Sequence, residues 1–225
     1  MHLMPPSTPT VQLVWLIPAR TTASSMYTWR YDDRGRVHVQ ENGVEWMPYP
    51  GPETKARLEA IIARRSDMFR AIGDRYGVHW AILIAMDWRE SNDNPTAVNQ
   101  EDPKNPNDNG IGLFQITSKS LKGSHSDEQL KDPQLNTEIA AKYIADLQKS
   151  YPDDAVKVFC AFNAGSCRPD PMSKWNLHAS PGHIDAEVMA LNYVLSRDAP
   201  LVEAPQIDLV AADEPPRELD EEDHS

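Results

Sequence analysis

Apolar and polar positions change rhythm several times along the chain. Tyr27-Thr28-Trp29-Arg30-Tyr31 alternates bulky β-formers with polar residues, Asp32-Asp33-Arg34-Gly35 reads as a turn, and Val37-His38-Val39 as a returning strand, which predicts a small hairpin. Met47-Pro48-Tyr49-Pro50-Gly51-Pro52 is a cluster of breakers and marks a boundary. Beyond it the period turns helical. Leu58, Ile61, Ile62, Met68, Phe69 and Ile72 share one face, and Gly73 and Gly77 predict interruptions. His79 to Arg89 is apolar nearly all round, the pattern of a buried central helix. From Ser91 to Gly110 the chain is crowded with Asn, Pro and Asp and reads as a long polar loop, a place where function often sits. Helices are predicted again over Phe114–Leu121, Leu135–Tyr151, Ala155–Phe162 and Ile184–Leu195. Gly165 suits a left-handed cap after the third of these, and Arg168 to Gly182 reads as loop. No internal repeat is visible.

Composition narrows the class. Of 225 residues, 40 % are apolar and 25 % charged, enough to bury a core and too apolar for a wholly disordered chain. No stretch approaches the roughly 18–20 apolar residues of a membrane span, so stable membrane insertion is not expected. Val11 to Ala19 is a short apolar run preceded by His2 and three prolines instead of Lys or Arg, and reads as a packed arm or strand more than as a secretion signal. The net charge is −12, of which −8 falls between Glu203 and Ser225, leaving only −4 for the body. That end reads as a disordered acidic tail. Nothing is basic enough to make nucleic acid a partner. Three regions are therefore expected: an N-terminal extension over 1–50 with the hairpin, a helical domain over 51–198, and the tail over 199–225.

Candidate chemistry starts at Glu90, where a buried apolar helix meets a polar loop. A carboxyl there is partly desolvated, which raises its pKa and keeps it protonated for use as a general acid. Gly110-Ile111-Gly112-Leu113-Phe114-Gln115-Ile116 then puts glycines where backbone must approach something closely, followed by a glutamine among apolar residues. Ala161-Phe162-Asn163-Ala164-Gly165 puts an amide at a helix end, and Tyr193-Val194 closes the last helix.

Four pieces stand in order: Glu90-Ser91 with Asn94-Pro95-x-Ala97, Gly112-Leu113-Phe114-Gln115, Ala161-Phe162-Asn163-Ala164-Gly165, and Tyr193-Val194. Together they resemble the soluble lytic transglycosylase domain of the lysozyme-like superfamily, which includes goose-type lysozymes, over about residues 75–197. The resemblance implies a mainly α, lysozyme-like domain whose cleft binds peptidoglycan glycan strands. It implies cleavage of the β-1,4 bond after N-acetylmuramic acid, with a 1,6-anhydromuramyl product and no cofactor or metal. Glu90 would be the single acid/base. Ser91 and Gln115 would line the cleft, Asn163 would bond sugar or the carboxyl, Tyr193 would orient Glu90, and Phe114 and Phe162 would meet substrate. Phe114 and Phe162 replace the family's usual Met and Tyr. Met189 stands where a glutamate is usual, and Glu187, two residues off, does not inherit its role. The alternatives are a hydrolytic muramidase using the same Glu90, and a virion structural or wall-binding module with little activity. Lacking a clear secretion signal, the chain is expected to act at the bacterial wall from a phage virion, with virion proteins as partners, or after release from the host cytoplasm.

Weaker signals remain. Asp87, three residues before Glu90, reads as a structural hydrogen-bonding group, with a second catalytic carboxylate as the alternative. Asp102 and Asp108 lie in the polar loop and read as loop residues, with the base of an inverting enzyme as the lesser alternative. Asn105-x-Asn107-x-Asn109-Gly110 begins like a calcium loop, but Ile116 stands where the bidentate Glu is needed. The histidines show no zinc-protease spacing. Cys160 and Cys167 read as two thiols, with a disulfide across the Asn163 turn as the alternative. Trp80 and Trp88 read as core, and Trp175 as a sugar-stacking candidate.

Overall fold

The computed structural model describes residues 27–100, 109–117 and 119–197. The N-terminal apolar run, Asp102, Asp108 and the acidic tail lie outside these residues. The fold is mainly helical, with a small N-terminal sheet. The predicted hairpin is present as β1 (Tyr27–Tyr31) and β2 (Val37–Glu41), antiparallel with Trp29 opposite Val39 and Tyr31 opposite Val37. Alternation puts Tyr27, Trp29, Tyr31, Val37 and Val39 on one buried face. A third strand, β3 (Val44–Trp46), follows a turn at Asn42-Gly43, where both residues have positive φ (50° and 81°). Asn-Gly is the strongest short hairpin signal a sequence carries, and it went unread in the pattern above.

The helix α1 (Pro52–Tyr76) starts at a proline in its first position and ends on Gly77, whose φ of 72° makes the left-handed cap. Gly73 does not interrupt it. A Cβ there would lie 2.3 Å from the Val78 carbonyl oxygen, so glycine permits the next segment to cross the helix end. The following helix, α2 (Trp80–Glu90), is capped by His79, whose Nδ1 accepts from the Ala81 N–H at 3.2 Å. Ala81 to Asp87 are all 0 % exposed. This is the buried central helix the apolar pattern predicts, and it packs chiefly against α1 and against α6 (Pro181–Arg197).

After α2 come a short hairpin of β4 (Val98–Gln100) and β5 (Asn109–Ile111), then α3 (Lys119–Lys122), α4 (Pro133–Ser150) and α5 (Ala155–Ala164). The helix expected over Phe114–Leu121 is confined to α3. Gly112–Gln115 is instead a tight turn, with positive φ at Gly112 (78°) and Gln115 (48°), closed by Ile111–Ile116 backbone hydrogen bonds. Asp132 and Asp154 cap α4 and α5, and Gly165 ends α5 in the left-handed conformation.

Two buried amides tie these parts together. Asn192 on α6 accepts from the Val37 N–H (2.6 Å) and donates to the Val37 and Pro48 carbonyls (2.9 and 3.2 Å), joining the sheet to the helices. Tyr31 adds a second link, donating to Asp154 at 2.9 Å while accepting from the Val156 N–H. Asn136 on α4 accepts from the Phe114 N–H and donates to the Ile111 and Leu130 carbonyls, at 2.8–2.9 Å. Truncating Asn192 would strand three buried backbone groups, since a buried group left unpaired costs about 1–3 kcal/mol. Asn192→Ala is expected to lower unfolding stability by roughly 3 kcal/mol in urea denaturation. A loss under about 0.5 kcal/mol, the range of an ordinary surface change, would show that this clamp holds nothing.

Candidate active site

The residues after α2 cannot continue the helix. Asn92 and Asp93 both adopt left-handed φ (53° and 62°), an uncommon state for non-glycine residues. The Asp93 carboxylate holds this turn by accepting from Arg64 and, at 2.6 Å, from Arg65 on α1. The turn leaves Glu90 facing an open cleft of about 620 Å³. Trp88, Arg89, Ser91 and Asn92 line it from the end of α2, Ala97, Val98 and Asn99 from the loop and β4, Gln115 from the tight turn, Arg57 from α1 and Ala186 from α6. Glu90 is the only carboxyl group among the described residues lining the cleft, and its side chain is 13 % exposed.

The Gln115 turn is built from α4 outward. A Cβ on Gly112 would fall 2.4 Å from Asn136 Nδ2, and one on Gly110 would fall 2.7 Å from Gln115 Oε1, so both glycines are needed for the close approach the sequence suggests. Gln115 Nε2 donates to the Gly112 carbonyl at 2.8 Å, which fixes the side chain against its own turn.

Of the seven residues expected at the site, Glu90, Ser91 and Gln115 come together. The other four are not among the residues lining this cleft. Phe114 is 0 % exposed and packs on Phe69 with ring centroids 5.8 Å apart, which corrects its expected contact with substrate. Phe162 is half-buried against Tyr143. The Tyr193 hydroxyl donates to Glu59 on α1, not to Glu90; burial, then the Glu59 contact, raises its pKa. Asn163 Oδ1 accepts from the Ser180 N–H at 3.2 Å, just ahead of α6. Cys160 and Cys167 form a disulfide that spans this turn, where two thiols were expected. The tryptophans exchange parts. Trp175 is fully buried between Tyr27 and Trp29 and donates to Asp185 at 2.7 Å, so it is core, whereas Trp88 lines the cleft.

Two buried carboxyls flank Glu90. Asp87 is 0 % exposed and accepts from Ser91 Oγ at 3.2 Å, as a structural group would. Burial first, and the Asp93 charge second, push its pKa up to about 8. Glu187 on α6 is also 0 % exposed, and neither carboxyl oxygen has a hydrogen-bond partner among the described residues. Burial, then the charge of Glu90, raises its pKa well above the ordinary value. Glu187 was legible in principle. It sits in the apolar stripe Ile184, Val188, Leu191, where an acid signals a buried carboxyl. His183, whose Nε2 is 3.7 Å from Glu90 Oε1, carried no comparable signal. Among the described residues no cluster of His, Cys, Asp or Glu is placed to hold a metal ion, and no helix is long and apolar enough to cross a membrane.

Comparison with known proteins adds three findings. Residues 67–177 match the family model described as Transglycosylase SLT domain. The chain is 33 % identical over 95 residues to a membrane-bound lytic murein transglycosylase C of Edwardsiella ictaluri (strain 93-146), covering 38 % of this chain and 24 % of that protein. Among solved structures, the 70 kDa soluble lytic transglycosylase Slt70 of Escherichia coli matches with a TM-score of 0.40 and 18 % identity, over 64 % of this chain and 26 % of that one. The chain thus spans about a quarter of the length of these relatives.

Asp87 supplies a pH test of the site's support. Its carboxyl stays protonated in the folded chain up to about pH 8 but ionises from about 3.8 when unfolded. The folded state then holds the extra proton, so this group's contribution to stability falls as pH rises through that window. Asp87→Asn keeps an acceptor for Ser91 and removes the titration. Between pH 5 and pH 8 its stability relative to the original chain is expected to rise by roughly 3 kcal/mol, measured by urea denaturation at each pH. A difference that stays flat over that range would sink the assignment.

Proposed function

We propose, for a chain whose residues 67–177 match the family model described as Transglycosylase SLT domain, that it cleaves the glycan strands of peptidoglycan as a lytic transglycosylase, with Glu90 as the single acid/base. The observation that carries this reading is that Glu90 is the lone carboxyl among the described residues lining the cleft. Two-carboxylate glycosidases need a second acid facing the first across the bond to be cut. Among the described residues, the buried acids Asp87 on α2 and Glu187 on α6 are both 0 % exposed and cannot reach a sugar.

In the proposed reaction the Glu90 proton passes to the glycosidic oxygen as the C1–O bond breaks. The carboxylate left behind then takes the proton of the muramyl C6 hydroxyl as that oxygen bonds to C1. The 1,6-anhydro ring closes, no water is consumed, and Glu90 ends protonated as it began. Trp88 and Val98 offer apolar surface for sugar faces, and Ser91, Asn92, Asn99 and Gln115 offer polar groups for sugar hydroxyl and acetamido groups. Arg57 and Arg89 give the cleft positive charge, suited to carboxylates on the wall's peptide stems. The site of action is the bacterial cell wall. Both named relatives come from bacteria, which lends the expected phage setting no support.

Mass spectrometry of the muropeptides released from purified peptidoglycan tests the reading. The chain is expected to release 1,6-anhydromuramyl products, and Glu90→Gln to release them at least about a hundredfold more slowly. Reducing-end muramic acid from the same Glu90-dependent reaction would mean that water attacks C1 and the enzyme is a muramidase. No product on several wall types would overturn the enzymatic reading in favour of a binding or structural module.

A further inference from the structure

The reaction proposed above uses Glu90 and gives no role to His183, which meets it from the start of α6. His183 lies in the first turn of α6, and its Nδ1 is 3.1 Å from Nη2 of Arg89. A guanidinium is always charged and has only N–H donors. Nδ1 of His183 must therefore accept, and a neutral imidazole with Nδ1 accepting carries its proton on Nε2. Nε2 is the ring nitrogen that faces Glu90, 3.7 Å from Oε1, with the two side chains 19 % and 13 % exposed.

Burial and the adjacent guanidinium keep the ring neutral. Burial first, and the adjacent Arg89 second, push its pKa down to about 4. The contact with Glu90 is therefore not an ion pair at neutral pH but an uncharged N–H facing a carboxyl oxygen. Among the described residues, the charged or titratable groups that face this corner are Arg89 and Glu90 from α2 and, one turn further along α6, Glu187, whose pKa burial raises well above the ordinary value. The start of α6 is itself fixed, because Asn163 Oδ1 accepts from the Ser180 N–H and the Cys160–Cys167 disulfide spans the Asn163 turn.

We propose that His183 is a positioning residue for Glu90: Arg89 holds it as the Nε2–H tautomer, and that single N–H is directed at Oε1, so that Oε2 carries the acid proton and the carboxylate left after proton transfer keeps a donor at its back. This rests on the reading of Glu90 as the acid/base. A separation of 3.7 Å is longer than a hydrogen bond, and contacts of this kind tighten when substrate is bound. Once Glu90 is ionised, the N–H stabilises its carboxylate and lowers its pKa, which sets the basic limb of the pH–rate profile.

The first test does not depend on activity. Long-range ¹H–¹⁵N spectra of the intact 225-residue chain, with His183→Gln to assign the ring, are expected to show the Nε2–H tautomer at pH 6–8 and titration only below about pH 5. An Nδ1–H tautomer, or titration near the ordinary histidine value, would overturn the proposal. This outcome is decided even if no muropeptide is released, a result that would strike the cleavage reading instead. The second test compares two variants whose folding is checked by thermal melting. His183→Leu removes the donor, and kcat is expected to fall about tenfold or more with KM nearly unchanged and the basic limb moved to higher pH. His183→Gln places an amide N–H near the same point and is expected to restore most of kcat and the position of the limb. An unshifted limb in His183→Leu, whether its rate is normal or falls equally in both variants, would reduce His183 to a packing role and overturn the proposal.

Discussion

A helix that is apolar on every side has to be surrounded, and that demand on α2 organises the molecule. Ala81 to Asp87 are shut off from water, with α1 on one flank and α6 on another. Burial on this scale stabilises the fold through apolar area removed from water, about 25 cal/mol per Å². It also dictates where chemistry is allowed. Polar groups on such a helix are expensive except at its ends, so the cleft opens at the C-terminal end of α2, where the chain leaves the core through the Asn92-Asp93 turn.

The support around that end is polar, and it is arranged in layers of decreasing exposure. Glu90 and Ser91 reach the cleft, Asp87 sits beneath Ser91, and Asp93 is clamped by two arginines from α1. On the α6 side, His183 meets the edge of the site and Glu187 lies fully buried below it. Burial raises the pKa of both Asp87 and Glu187, so the two acids behind Glu90 are disfavoured as charges by their depth alone. Gln115 comes from a different part of the chain, and Asn136 brings it to the cleft by satisfying two backbone groups of its turn and the Leu130 carbonyl at once.

Much of this was legible from pattern. The alternation in Tyr27–Tyr31 marked a buried strand face, the apolar run before Glu90 marked a surrounded helix, and Gly165 marked a helix end. Pattern failed where one local signal had two physical meanings. Phe114-Gln115-Ile116 looked like the start of a helix because apolar density is the same in a buried tight turn. Gly73 looked like a break because glycine weakens helices, yet here it makes room for the Val78 carbonyl. Trp175, a sugar-stacking candidate, is fully buried, and Trp88, read as core, packs against the core and also lines the cleft, because aromatic character does not say whether a ring meets sugar or core.

The sequence by itself determined the order of the elements, the burial of α2 and the placing of one carboxyl where that helix ends. These follow from periodicity and capping, which are local and act over a few residues. Only the tertiary structure decided which polar groups inside apolar stripes meet: Glu187 with Glu90, Asn136 with the Gln115 turn, Asn192 with Val37 across 155 positions of chain. Periodicity says that such a residue faces inward. It does not say what it faces, because that depends on how separate helices pack, and the partner of a buried amide or acid is set by the fold as a whole.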